Sequence, residues 1–234
     1  MPNESEGSVR VAAACGIGFV VVGVASLILI TASPPPGGGA SAAELTAYYT
    51  DPGNGRLIQV AMTLSSVGGF LLLWFLSGLR RRLVGALGRG SLLPSVVFSG
   101  GVVFVAVLFA ANAALATAPF DTSAALGFEP GVTRTLVEFT DWLYTFGTLG
   151  LAATVLATSL AILRTRFFPR WVAWAGFVVA ALFAANAVYA AFDAPTRSTG
   201  TLGFELMLWV LVVSVLLLRR PSTSVAVPGR QAGK

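Results

Sequence analysis

The sequence SVVFSGGVVFVAVLFAANAALA, residues 95–116, carries no charged side chain, and it decides the fold. A helix needs roughly 20 apolar residues to cross a hydrocarbon core about 30 Å thick, so this stretch can span a bilayer. In lipid every backbone N–H and C=O must be bonded within the segment, which a helix achieves. Barrel strands would alternate in short segments, whereas this stretch is continuous. It therefore predicts a transmembrane helix.

Five more stretches of the same character flank this one. The chain is 56% hydrophobic and only 11% charged, which is far too apolar for an ordinary soluble domain. We therefore predict an all-α, polytopic membrane bundle of six transmembrane helices built from three hairpins. The predicted spans are Val11–Ala32, Leu57–Leu79, Ser95–Ala116, Leu136–Leu163, Trp171–Ala191 and Thr201–Leu218.

The basic residues predict how the bundle is oriented. With six spans, twelve of the fifteen Lys and Arg residues fall on the side that holds both chain ends. The positive-inside rule then places both termini in the cytoplasm. The high pI of about 10.1 reflects this asymmetry and attraction to anionic lipid, so nucleic acid is not a predicted partner.

The predicted organisation has three parts. Residues 1–10 are a cytoplasmic N-terminus, residues 11–218 form the six-helix transmembrane domain, and residues 219–234 are a disordered cytoplasmic tail rich in Pro, Ser, Val and Gly. The first span could alternatively be a cleaved signal peptide. Its length and the two acidic residues before it favour a retained helix.

The first outer loop contains a signal for a short helix. Ser41 and Glu44 have the spacing of a capping box, in which each side chain bonds the other residue's backbone N–H. We predict a helix through Tyr49 that ends at Asp51-Pro52-Gly53-Asn54-Gly55, with an irregular linker as the alternative.

A short internal repeat is also present. The sequence LFAANA occurs at residues 108–113 and again at 182–187, and each copy is followed by Phe-Asp and then by Thr-Arg. Both copies run in the same direction across the membrane. This predicts two helical hairpins related by rotation about the membrane normal, which is a known transporter arrangement.

Polar side chains within the spans are costly in lipid and therefore mark candidate sites. Five helices place polar groups in the outer third of the membrane. On the fourth span, Arg134, Glu138 and Asp141 share one helix face, and two carboxylates one turn apart could bind a cation or share a proton. The predicted ligand-binding residues are Asn112, Arg134, Glu138, Asp141, Asn186 and Glu205.

Two interpretations of these residues remain open. In one, they form an outward-facing pocket that binds or transports a small amphiphile, lipid or cation, without enzymatic activity. In the other, they only hold helices together: Asn112 and Asn186 bond across helices, and Arg134 pairs with Glu138. The protein would then be a structural or accessory membrane subunit.

An enzymatic function is a further alternative with little support. The sequence has no histidine and one cysteine, which excludes histidine-ligated haem, histidine-zinc sites, Ser-His triads and thiolate clusters. We predict no cofactor, no metal site and no catalytic residue. A lipid-headgroup enzyme would need Arg56, Arg134 and Arg197 to converge on one phosphate.

The first hairpin resembles a known group of proteins. The segment YYTDPGNGR, residues 48–56, followed by a span that ends in LWFLSGLR, residues 73–80, is similar to a family of uncharacterised six-span membrane proteins of high-GC Gram-positive bacteria. The resemblance implies a six-helix, multi-pass protein of the plasma membrane. It implies no activity and no functional residues.

Overall fold

The computed structural model describes residues 4–36, 40–117, 130–192 and 199–219. These ranges contain seven helices and no strand, which confirms the predicted all-α class. The predicted tail beyond residue 219 lies outside them. The helices are α1 (Glu4–Ala32), α2 (Ala42–Thr50), α3 (Pro52–Leu87), α4 (Leu93–Thr117), α5 (Pro130–Thr165), α6 (Arg170–Phe192) and α7 (Thr199–Arg219).

Five of the described helices are long and apolar enough to cross a membrane, so the chain is compatible with an integral membrane protein. The sixth predicted span, Thr201–Leu218, coincides with α7, and its crossing of the membrane stays a prediction. The five candidate segments are Gly7–Ala32, Pro52–Leu87, Leu93–Ala116, Arg134–Thr165 and Arg170–Ala190.

The long helices form a closed ring in the order α1, α3, α4, α5, α6, α7, with α7 packed back on α1. Successive helices run in opposite directions. A bond from Arg81 Nη1 to Ser8 Oγ, 3.1 Å long, joins the end of α3 to the start of α1. At the opposite end, Ser33 Oγ donates to Asn54 Oδ1 at 2.6 Å. We call the end that carries Ser33 the outer end, and the other the arginine-rich end.

Glycine permits a close contact between α4 and α5. An added Cβ on Gly100 would lie 2.6 Å from the carbonyl oxygen of Gly150, and the reverse distance is also 2.6 Å. Real Cβ atoms do not approach backbone oxygens this closely, so α4 and α5 pack backbone to backbone here. Beside the contact, the Thr154 hydroxyl lies 3.1 Å from Val97 O.

The outward faces of the ring are apolar. Large hydrophobic side chains that are more than a third exposed occur on each of the six long helices. A monomeric soluble protein rarely exposes so much contiguous apolar surface, whereas a lipid-facing surface requires it. Examples are Val21, Ile28, Phe70, Trp74, Val103, Phe146, Val178 and Leu208.

Two helices are longer than a bilayer core requires. Both α3 and α5 have 36 residues, which corresponds to about 54 Å at 1.5 Å per residue. Helix α3 continues for eight residues beyond its predicted end at Leu79, and the fully buried Leu83 packs in the main core there.

Helix α2 lies across the outer end and packs against α3 and α5. Its predicted capping box is present, with Ser41 and Glu44 bonding reciprocally. Tyr49 is only 3% exposed, in a small cluster with Ile58 and Met62. The segment predicted to end the helix is not a loop, because Asp51 caps the next helix by accepting bonds from the N–H groups of residues 53 and 54.

Acid should loosen α2, because its cap depends on an ionised carboxylate. Hydrogen bonds from the backbone and hydroxyl of Ser41 lower the pKa of Glu44. Because the pKa of Glu44 is lower in the folded state, its ionised form stabilises the cap at pH values above the unfolded-state pKa. This stabilisation is lost as the pH falls through the folded-state pKa. We expect hydrogen-exchange protection of α2, corrected for intrinsic rates, to decrease below about pH 4.

Two variants test this expectation for α2. Glu44→Gln keeps a side-chain acceptor without the titration, so protection of α2 should become independent of pH. Ser41→Ala removes the cap, and protection should be low at every pH. Acid sensitivity that persists in Glu44→Gln would contradict the assignment.

The two copies of the LFAANA repeat bury different faces. In α4, Leu108 and Ala111 are buried and Phe109 is exposed, whereas in α6 Leu182 is exposed and Phe183 is buried. Equivalent residues are therefore rotated relative to the core. A structural repeat stays a prediction, and the Phe-Asp pairs that follow each copy are not fully within the described residues.

Candidate functional site

Asn112 joins three helices near the outer end. Its side chain is 4% exposed, and Nδ2 donates to Ser66 Oγ at 2.9 Å and to Met62 O at 3.3 Å, both on α3. Its Oδ1 accepts a 2.5 Å bond from the hydroxyl of Tyr144 on α5. Asn112 thus bonds across helices, as the packing interpretation expected.

Tyr144 is one of the members of this network that the sequence prediction missed, along with Ser66 and Met62. Its hydroxyl also lies 3.7 Å from Met62 Sδ, and Tyr144 interacts electrostatically with Asp141. A usable signal was present, since a tyrosine within a span needs a partner for its hydroxyl. Tyr144 also lies one turn after Asp141, on the face already assigned to the site.

A cleft of about 370 Å³ lies between α3 and α4 beside this network. It opens on the outside of the ring, because Thr63, Phe109 and Ala113 in its wall are exposed. Its volume falls within the range of small-molecule sites. The lining residues are Gln59, Met62, Thr63, Ser66, Phe109, Asn112, Ala113 and Ala116.

One wall of the cleft is a polar stripe on α3. Gln59, Thr63 and Ser66 follow at intervals of four and three residues, which places them on one helix face. The hydroxyls of Thr63 and Ser66 donate to carbonyl oxygens of their own helix, so their free lone pairs can accept from a ligand. The opposite wall includes the aromatic ring of Phe109.

The cleft narrows at Gly69, on its side toward the membrane centre. An added Cβ on Gly69 would lie 3.0 Å from Leu108 and 3.1 Å from Phe109, so α3 and α4 touch directly one turn below Ser66. The residues that line the cleft, within 59–66 on α3 and 109–116 on α4, all lie on the outer side of this contact.

Arg134 and Glu138 form an ion pair on α5. Arg134 Nε lies 2.7 Å from Glu138 Oε1, and both side chains are more than half exposed. This is the ion pair that the packing interpretation described for these two residues. Exposed i, i+4 pairs contribute only about 0.3–0.5 kcal/mol, so this contact does not hold the bundle together. Asp141 is half-buried on the same helix.

Glu205 and Asn186 lie on the other side of the ring. Asn186 is half-buried on α6, and Glu205 is half-buried on α7. The Oε2 atom of Glu205 is buried and has no hydrogen-bond partner among the described residues, and the same holds for Nε1 of Trp209 one turn away. Since α7 packs mainly on α1, it is remote from the α3–α4 cleft.

The structure therefore divides the predicted site residues. Asn112 is the only one of the six that lines the cleft. Arg134 and Glu138 pair with each other. Glu205 lies on α7, which packs mainly on α1. A single pocket that contains all of them stays a prediction.

The structure describes two of the three arginines of the enzyme alternative. Arg56 is exposed in the first turn of α3, Arg134 is paired with Glu138, and Arg197 lies outside the described ranges. The part of the chain that is described also contains no group of acidic, cysteine or histidine side chains arranged for a metal ion.

No protein-family model, curated protein or solved structure matches this chain significantly.

Proposed function

We propose that this is a multi-pass membrane protein that binds a small neutral amphiphile in the α3–α4 cleft. The observation that carries the proposal is a polar stripe with a buried amide, set in an otherwise apolar outward face. Polar groups that face lipid are costly, and a ligand headgroup would satisfy them. The tail of an amphiphile could lie along the exposed Phe109 and Phe70.

The cleft favours a neutral headgroup over an ion. None of its eight lining residues is charged, so an ion placed there would lose hydration without a compensating charge. Thr63 and Ser66 offer acceptors, and the amide of Gln59 offers both a donor and an acceptor. Hydroxyl groups on the ligand match this pattern, whereas a bare cation does not.

The proposed location is the plasma membrane with both termini in the cytoplasm. Charge supports this orientation: nine described basic residues lie toward the arginine-rich end and two toward the outer end. In this orientation the cleft faces the outer leaflet. We also propose that the chain belongs to the six-span membrane-protein family that its first hairpin resembles.

Filling the cleft should abolish binding. We expect purified Thr63→Leu protein to bind monooleoylglycerol at least about tenfold more weakly than the unmodified chain, as measured by native mass spectrometry from detergent. The larger side chain projects into the cleft and removes an acceptor. Thr63→Val, which keeps the volume and removes only the hydroxyl, should have an intermediate effect.

Ser77→Leu is the matched control for this experiment. Ser77 is exposed on the same helix and its hydroxyl likewise bonds its own helix, at Leu73 O, but it lies outside the cleft. Binding by Ser77→Leu should be unchanged. Equal loss in the Thr63 and Ser77 variants would refute the cleft as the site, and so would unaltered binding in both.

An accessory role is the second candidate, and the exposed face of α4 favours it. Ala106, Ala110 and Ala113 are exposed at intervals of four and three residues. Small residues at this spacing allow a helix of a partner protein to approach closely. Ala110→Leu would block such an approach without entering the cleft, so a loss of co-purifying protein in Ala110→Leu alone would favour this function.

A further inference from the structure

The turn between α5 and α6 contains an arginine in a backbone conformation that L-residues avoid. Arg166 has a φ of +52°, and its N–H bonds Ile162 O at 2.8 Å to close the end of α5. Helices usually end in this way with glycine, because a Cβ clashes in the left-handed region. The corresponding turn after α3 does use glycine, since Gly88 has a φ of +83°.

This turn is rigid and positively charged. Phe168, two residues after Arg166, is 2% exposed within the main core, and its ring is tilted against that of Phe167 with centroids 4.5 Å apart. Arg164, Arg166 and Arg170 are all exposed around this anchored residue. A fixed backbone holds three guanidinium groups within seven residues, and this arrangement suits a phosphate, which arginine binds with paired donors.

No carboxylate neutralises these arginines among the described side chains. The acidic residues with described side chains all lie toward the outer end of the bundle: Glu44, Asp51, Glu138, Asp141 and Glu205. Glu4 and Glu6 begin α1, which packs on α3 and α7 rather than on α5 or α6. The three guanidinium groups are thus available to an external anion.

Aromatic side chains next to the turn indicate that the anion belongs to a lipid. Trp171 and Trp174 are 56% and 63% exposed on the first turns of α6. Tryptophans concentrate at the level where headgroups meet acyl chains. These two tryptophans face outward, while the neighbouring Phe168 is buried.

We propose that Arg164, Arg166 and Arg170 form a binding site for the phosphate of an anionic phospholipid, with Trp171 and Trp174 against its acyl chains. The site is at the arginine-rich end and is independent of the α3–α4 cleft.

Arg166→Gly separates this role from a structural one. Glycine relieves the backbone strain and removes the guanidinium, so the variant should unfold at an equal or higher temperature than the unmodified protein. Its affinity for phosphatidylglycerol, measured by native mass spectrometry of delipidated protein, should fall by at least about tenfold. This exceeds the roughly fivefold effect of one arginine attracted diffusely to anionic lipid, because hydrogen bonds to the phosphate are lost as well. Its affinity for phosphatidylcholine should not change.

Arg89→Gly is the control of equal charge. Arg89 is exposed in the turn after α3, with no aromatic neighbour in that turn, so its loss should lower phosphatidylglycerol affinity only by the diffuse effect of one charge, about fivefold or less. If Arg89→Gly and Arg166→Gly lost the same affinity for phosphatidylglycerol, the effect would come from diffuse charge, and the proposed site would be refuted. Full competition by millimolar inorganic phosphate would overturn a lipid as the ligand.

Discussion

Gly150→Ala should destabilise the protein by about 1–3 kcal/mol through overpacking. The change adds only one methyl group, and alanine itself adopts helical backbone angles readily. The new Cβ would lie 2.6 Å from Gly100 O and 3.2 Å from Phe104 N, which are backbone atoms that a rotamer change cannot move. Helices α4 and α5 must therefore separate. The separation would also lengthen the bond from the Thr154 hydroxyl to Val97 O.

Gly85→Ala is the matched control, and it should have the opposite sign. Gly85 is an exposed residue of α3, and nothing lies within 4 Å of the Cβ that would be added there. Without a clash, alanine should stabilise the helix by about 0.5–1 kcal/mol. Reversible unfolding in detergent would measure both variants. Equal effects at the two positions would contradict a backbone contact between α4 and α5.

Combining Gly150→Ala with Gly100→Ala tests whether the two stability losses come from the same α4–α5 contact. Each methyl would enter the same interface, so once the first has separated the helices the second should cost less. We expect the double variant to lose less stability than the two single variants together.

The long apolar helices were predictable because lipid imposes a strong and local rule. A continuous apolar stretch of about 20 residues suffices, and the helix boundaries then follow from caps such as Ser41 and Asp51. The neighbours in the ring were not predictable in this way. When a helix is apolar on every face, periodicity does not indicate which face meets which partner, and close contacts such as Gly100 with Gly150 decide the packing.

The candidate site was predictable only in part, for the same reason. Asn112 and the Arg134–Glu138 pair could be identified, because one is a polar residue within a span and the other has i, i+4 spacing. Tyr144 carried a signal as a tyrosine within a span, but its pairing with Asn112 could not be predicted, because the two residues are 32 positions apart on different helices. The stripe from Gln59 to Ser66 did carry a signal in its spacing, but only the position of α4 turns that stripe into a cleft.

Asn112→Leu and Tyr144→Phe should each destabilise the protein, and the double variant should recover most of the loss. Either single change leaves a polar atom of the other residue in a mostly buried site without its partner, which costs about 1–3 kcal/mol. In the double variant both polar groups are gone and the shapes are nearly kept. Replacing both partners of a buried hydrogen bond by apolar groups of similar shape can be almost neutral.

Thr158→Val controls for the general loss of a buried polar atom. The Thr158 hydroxyl is fully buried but bonds only its own helix, at Thr154 O, so its removal should cost less than 1 kcal/mol. If the two single changes at Asn112 and Tyr144 are additive in the double variant, the 2.5 Å bond between them is not a coupled interaction.

The recovered double variant also decides what Asn112 does in the cleft. With folding restored, a loss of monooleoylglycerol binding would come from the missing amide itself and would make Asn112 a ligand contact. Retained binding would assign Asn112 to helix packing and leave Gln59 and Thr63 as the polar contacts. Either result separates the two interpretations of this asparagine, because the stability of the bundle no longer differs between the proteins compared.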